Sequence, residues 1–158
     1  MRHWISPLLC LALAPFGCTQ DLQWSAAHEM ARAAGPNVPT LTTDSLANRL
    51  RDSTSAAPIL LDARTSEEYA VSHLPGARRV DPDADAYPAL DSLSADAPIV
   101  VYCSVGVRSA KVAARLREQG YTNVSNLKGS IFQWANEGRS VVRNGQPVQA
   151  VHPYDATW

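Results

Sequence analysis

The chain has 158 residues, 46% hydrophobic and 18% charged, which suits one folded domain with a modest core and excludes a disordered chain. Fourteen Lys and Arg oppose fifteen Asp and Glu, a formal net charge of -1. That balance supplies neither the basic excess of a nucleic-acid binder nor an acidic block.

Arg2 precedes an apolar run over residues 8–16 that ends in Gly17-Cys18. The run is shorter than the roughly 20 apolar residues of a membrane-spanning helix. A short positive region followed by an apolar stretch reads as an export signal over residues 1–17. Leu13-Ala14-Pro15-Phe16-Gly17-Cys18 resembles a bacterial lipoprotein signal, whose cysteine becomes the lipidated first residue. Plain cleavage and a buried N-terminal helix are the alternatives. The expected product is exported, periplasmic or anchored to a membrane through Cys18. Cys10 would leave with the signal, so Cys103 becomes the single thiol of the body and no disulfide holds the fold. A lone thiol is either a small buried hydrophobe or a reactive group.

Residues 18–40, rich in Ala, Gly and Pro, read as a linker with one helical turn over residues 26–34. A domain is expected over residues 41–146 and a tail over 147–158. Leu46 and Leu50, four apart behind Thr43 and Asp44, mark a short amphipathic helix. Ile59-Leu60-Leu61, stopped by Asp62, reads as a strand buried on both faces. Thr65 and Glu68 have capping-box spacing for a helix over residues 66–72. Leu74-Pro75-Gly76-Ala77 then turns the chain into a short strand at Arg79 and Val80.

An Asp-rich loop over residues 81–96 is expected to carry one short helix over 87–93. Ile99-Val100-Val101-Tyr102 is a second strand and runs directly into Cys103-Ser104-Val105-Gly106-Val107-Arg108-Ser109. A helix follows, with Val112 and Leu116 on one face and Gly120 as terminator. Residues 124–127 form a third strand. Ser130 and Gln133 have capping-box spacing before a short helix through Trp134 that Gly138 ends. The last twenty residues show little periodicity and are expected to wrap the body. Strands alternating with short helices predict a three-layer α/β domain, with a mostly parallel central sheet and helices on both faces.

Ligands collect beyond the carboxyl ends of strands in open α/β sheets, which is where Cys103 stands. Residues 104–109 contain no proline, so each offers a backbone N–H. Gly106 is free to take a positive φ, and the resulting curve would turn several N–H groups inward as an anion nest. The helix start and Arg108 add positive charge. These features favour a thiolate that attacks a sulfur donor bearing an anionic leaving group, leaving a persulfide cradled by main-chain N–H groups. A packed, structural cysteine is the competing reading.

Four motifs, in order, resemble the rhodanese domain: Leu61-Asp62-Ala63-Arg64 with Glu67-Glu68-Tyr69; His73-Leu74-Pro75-Gly76-Ala77; Tyr102-Cys103 to Ser109; and Lys128-Gly129 to Trp134. The resemblance implies a single-domain sulfurtransferase in which Cys103 forms the persulfide. It implies that Ser104, Val105, Gly106, Val107 and Arg108 form the substrate loop, with Arg108 binding the anion. Sulfur would pass from thiosulfate or a persulfide donor to cyanide, to a small thiol such as glutathione, or to a thioredoxin-like or other acceptor protein. No metal or organic cofactor is implied, and a monomer is expected. Four residues separate Cys103 from Arg108; the related dual-specificity phosphatases of the cell-division-cycle-25 kind have five, making a wider cup. The alternatives are a sulfur-carrier or protein-binding module without turnover, and arsenate reductase-like or phosphatase activity. Ser72, Ser104 and Ser130 stand where the family usually has a glycine, a basic residue and a glycine.

Supporting roles are expected for four more residues. Asp62, at the end of a buried strand, would pair with Arg108 or accept nearby N–H groups. Arg64 and Glu68, four apart, would form an ion pair at the helix entry. Trp134 is either core or a wall of the pocket. His73 reads as a hydrogen-bonded turn residue.

Overall fold

The computed structural model describes residues 17–153, with side chains from residue 22 onward. Arg2, the apolar run over residues 8–16, Cys10, the Cys18 side chain and the last part of the expected tail, residues 154–158, lie outside the described residues. Five strands, β1 (Thr40–Leu41), β2 (Ile59–Asp62), β3 (Arg78–Arg79), β4 (Ile99–Tyr102) and β5 (Val124–Leu127), form one sheet. Their order is β1-β5-β4-β2-β3, and every neighbouring pair is parallel. The helices are α1 (Gly17–Ala34), α2 (Thr43–Arg51), α3 (Ser66–Val71), α4 (Val107–Glu118) and α5 (Ser130–Asn136). The three-layer α/β architecture is therefore as the sequence predicts.

All four residues of β4 are buried, as a central parallel strand covered on both faces requires. The pleat divides its side chains. Val100 and Tyr102, with Leu60, pack against Leu46 and Ala47 of α2 and Ile131 and Trp134 of α5. Ile99, Val101 and Cys103, with Leu61, pack against Val112, Ala113 and Leu116 of α4. Burying each large aliphatic side chain contributes about 1.5–3 kcal/mol, so the two clusters hold the helices to opposite faces.

Several local expectations are corrected. Where a linker with one turn is expected over residues 18–40, the chain forms the 18-residue helix α1. Its buried positions are Ala27 and Ala31, small enough to let α1 lie close along α4. Gly35 continues that close approach, since a Cβ there would stand 2.8 Å from the Ala110 carbonyl oxygen. Thr42, not Thr43 or Asp44, caps α2 by accepting the Ser45 N–H. Leu46 is buried, but Leu50 is exposed. The short helix in the Asp-rich loop shrinks to a 3-10 turn, Pro88–Leu90. The final residues form a hairpin, β6 (Val141–Arg143) and β7 (Gln146–Val148), which crosses the boundary expected between 146 and 147. The chain then returns to the body, where the Ser72 hydroxyl donates to the Ala150 carbonyl. Among the described residues no helix is long and apolar enough to cross a membrane.

Candidate active site

Parallel pairing of β4 with β2 on one side and β5 on the other brings three loops together at their carboxyl ends. The loop after β4 carries Cys103, whose residue is only 2% exposed. Gly106 donates its N–H to Cys103 Sγ at 3.1 Å. It does so with φ at +114°, a conformation that suits glycine and curls the loop around the sulfur. α4 begins at the next residue, so its positive end adjoins the same sulfur.

α4 and the β5 side supply residues outside the site as the sequence defines it. Ser109 Oγ lies 3.4 Å from Sγ and 2.7 Å from Asn126 Oδ1. Asn126 in turn donates from Nδ2 to the Gly106 carbonyl at 2.9 Å. Its signal is an amide side chain inside a short strand between Val124 and Leu127, where a buried polar group needs partners. Ser130 is not a capping-box residue; α5 starts from Gly129 in the left-handed region, and Ser130 itself has φ 51°. Its hydroxyl accepts the Cys103 N–H at 3.1 Å and donates to the Leu127 carbonyl. The N–H groups of Ile131 and Phe132 bond the carbonyls of Cys103 and Ser104. Two of the loop's carbonyls are thus fastened to the start of α5, and the Gly106 N–H meets the sulfur.

On the β2 side the expected pairs are exchanged. Arg64 does not pair with Glu68. It forks onto Asp62, with Nε–Oδ1 at 2.8 Å and Nη2–Oδ2 at 2.6 Å, and both side chains are fully buried. Asp62 therefore does not reach Arg108, although Oδ1 does accept the Arg64 N–H at 3.1 Å. Arg64 sits before the first turn of α3, where helical four-residue spacing does not yet hold. Glu68 is instead the partner of Arg108, in a two-bond fork at 2.7 and 2.8 Å. Ser104 joins them: its hydroxyl donates to Glu68 Oε1 and accepts from Arg108 Nη2, both at 2.9 Å.

The capping box expected at Thr65 and Glu68 is present. Burial works against the Glu68 charge, but the Arg108 hydrogen bonds, the Thr65 N–H, the Arg108 charge and the Ser104 hydroxyl outweigh it, drawing its pKa down to about 2. Glu68 is consequently ionised and cancels the Arg108 charge. Of the several N–H groups expected to turn inward, the Gly106 N–H is the one that meets the sulfur, and with the α4 terminus it supplies the positive character there, while Glu68 offsets the Arg108 charge.

Val105 and Val107 are partly buried in the loop. Trp134 belongs to the core and donates from Nε1 to the Ser140 carbonyl at 2.9 Å. His73 stacks on Tyr69 with ring centres 3.9 Å apart, in the turn role expected of it. Among the described residues no three His, Cys, Asp or Glu gather as metal ligands. The arrangement can hold one sulfur nucleophile and its anionic products.

Comparison with known proteins points the same way. Residues 42–137 match the family model described as the rhodanese-like domain. A sulfurtransferase of Allochromatium vinosum is 34% identical over 105 residues, covering 66% of this chain and 95% of that protein. A tRNA uridine(34) hydroxylase of Erwinia tasmaniensis is 35% identical over 96 residues, 58% of this chain but only 27% of the hydroxylase. The solved structure of a rhodanese-like domain protein from Staphylococcus aureus matches with a TM-score of 0.58 and 31% identity, over 68% of this chain and 99% of that one.

Proposed function

The chain belongs to the rhodanese-like domain family, and we propose that it is a sulfurtransferase working through a Cys103 persulfide. The observation that carries this reading is the Gly106 N–H donating to Cys103 Sγ at 3.1 Å, within a loop that places four residues between Cys103 and Arg108. In the first half-reaction the Cys103 thiolate attacks the outer sulfur of thiosulfate. The sulfur–sulfur bond of the donor breaks, sulfite leaves with the electron pair, and Cys103 holds the transferred sulfur as a persulfide. In the second, cyanide or a thiolate takes that outer sulfur, and the pair returns to Sγ. Main-chain donors fixed before the reaction stabilise the sulfur anion at each stage without reorganising.

The test is incubation with thiosulfate and then cyanide, following thiocyanate. Turnover that disappears in Cys103→Ser supports the enzyme. A stable persulfide seen by intact mass, without turnover, would replace it with a sulfur carrier. Release of phosphate from an aryl phosphate, or reduction of arsenate, would replace it with the corresponding alternative; the short cup is expected to yield neither.

The site is also proposed to work outside the cytoplasm, as a monomer, after removal of residues 1–17. The support is the Arg2 and apolar-run pattern ending at Cys18. Intact mass of the membrane-fraction protein separates a lipidated Cys18 from simple secretion. Its proposed partners are small sulfur anions, thiols and a thioredoxin-like acceptor.

A further inference from the structure

Between α1 and the loops after β4 and β5 lies a cavity of about 470 Å³. Its walls include His28, Glu29 and Arg32 of α1, Val105 and Gly106 of the sulfur loop, and Lys128. Gly106 is the residue whose N–H meets Cys103 Sγ, so the cavity opens beside the nucleophile's own loop. The α1 wall comes from chain preceding the span that matches the family, residues 42–137. Ala31 sets the fit, its Cβ only 3.6 Å from where a side chain on Gly106 would begin.

The chemistry of this wall is specific. His28 Nε2 is buried and has no hydrogen-bond partner. Burial first, and then the Lys128 charge, hold the His28 ring toward its neutral form, against an opposing pull from Glu29. Arg32 is drawn to Glu29 at 3.6 Å in a pair about three-quarters exposed on both sides, too wet to count for much. The exposed Lys128 ammonium and the orphaned His28 nitrogen therefore form one small cationic and hydrogen-bonding end, suited to a single carboxylate. The volume falls within the roughly 300–1,000 Å³ of small-molecule sites and accommodates a thiol of short-peptide size.

We infer that this cavity selects the sulfur acceptor, binding a small thiol through its carboxylate at Lys128 and His28, with the thiol at the Val105–Gly106 rim. The inference rests on the sulfur-transfer reading above. In the step it serves, the acceptor thiolate attacks the outer sulfur of the Cys103 persulfide. The persulfide bond of the protein breaks as that of the acceptor forms, the electron pair returns to Cys103 Sγ, and no outside oxidant or reductant is consumed.

The experiment compares glutathione with uncharged 2-mercaptoethanol as acceptors, and measures calorimetric binding of unreactive S-methylglutathione to the Cys103→Ser protein. Lys128→Ala and His28→Ala are each expected to raise KM for glutathione about fivefold, leaving kcat and the KM for 2-mercaptoethanol unchanged. They are expected to weaken S-methylglutathione binding by about the same factor. Equal effects on both thiols, no effect on either, or no S-methylglutathione binding at millimolar concentration would overturn the inference. If the parent protein transfers sulfur to neither thiol nor cyanide, the sulfur-transfer reading fails instead, while the calorimetry still decides whether the cavity takes a carboxylated thiol.

Discussion

The Arg108 guanidinium forks onto the Glu68 carboxylate, with Nη1 2.7 Å from Oε2 and Nη2 2.8 Å from Oε1, although forty residues separate the two in the chain. The pair joins the first turn of α4 to the first turn of α3 across the mouth of the sulfur loop. Breaking it by Glu68→Gln leaves a guanidinium short of its counter-charge and is expected to destabilise the fold by about 2 kcal/mol, read from urea denaturation. The folded pKa of Glu68 lies near 2, below its ordinary 4.5, so its contribution is complete above about 4.5 and is lost as pH falls towards 2. Parent and variant stabilities are therefore expected to converge on acidification across that window. A gap that stays constant would show that the charge is not what binds the two helices.

Gly106→Ala separates backbone strain from crowding. A Cβ at Gly106 meets nothing closer than 3.6 Å, so space is available. The cost comes from φ at +114°, about 1–2 kcal/mol or more for a residue with a side chain. Relief of that strain would swing the N–H away from Sγ. Thiocyanate formation is expected to fall about tenfold or more. Normal turnover with lowered stability would show that the amide is dispensable.

Ser109 has one hydroxyl hydrogen and two neighbours, Asn126 Oδ1 at 2.7 Å and Cys103 Sγ at 3.4 Å. The shorter bond wins in the resting protein, so the hydroxyl serves sulfur chiefly by keeping Asn126 on the Gly106 carbonyl. Ser109→Ala is expected to cost about 1–2 kcal/mol and to lower turnover about threefold to tenfold. Asn126→Ala is expected to reproduce the kinetic loss if the chain of bonds is the cause, which steady-state kinetics on both variants checks.

Asp62→Asn addresses the buried pair behind the site. Asp62 and Arg64 are fully buried, and Arg64 Nη1 already has no partner. Removing the carboxylate charge strands the guanidinium, with an expected loss of about 3–5 kcal/mol. Neither residue touches the sulfur, so activity per folded molecule is expected to stay within about twofold. Thermal unfolding and active-site titration on one preparation separate the two effects.

Much of this was legible in the residues. Thr65 and Glu68 announce their capping box because both partners lie within one helical turn. Ile99 to Tyr102 read as a buried strand because three β-branched residues and a tyrosine fill it, and Cys103 follows from that strand's end. The Glu68–Arg108 fork was not legible, since it exists only after β2 and β4 pair side by side. Four-residue spacing instead suggested Arg64 with Glu68, a rule that applies inside helices and not at their entry. The α1 segment reads as a linker because its contact with α4 uses two alanines, too small to produce an apolar stripe. Ser130 reads as a cap because a serine next to a glycine gives no sign of which one turns the chain.

The outermost strands of the sheet, β1 and β3, are two residues long, and β3 consists of two exposed arginines. A second molecule approaching either rim finds almost no unpaired ladder to extend, and at one rim it meets concentrated positive charge. Native copies therefore have little means of stacking edge to edge into fibrils. Aggregation on heating is expected to wait for global unfolding, so that turbidity follows loss of tertiary structure rather than preceding it.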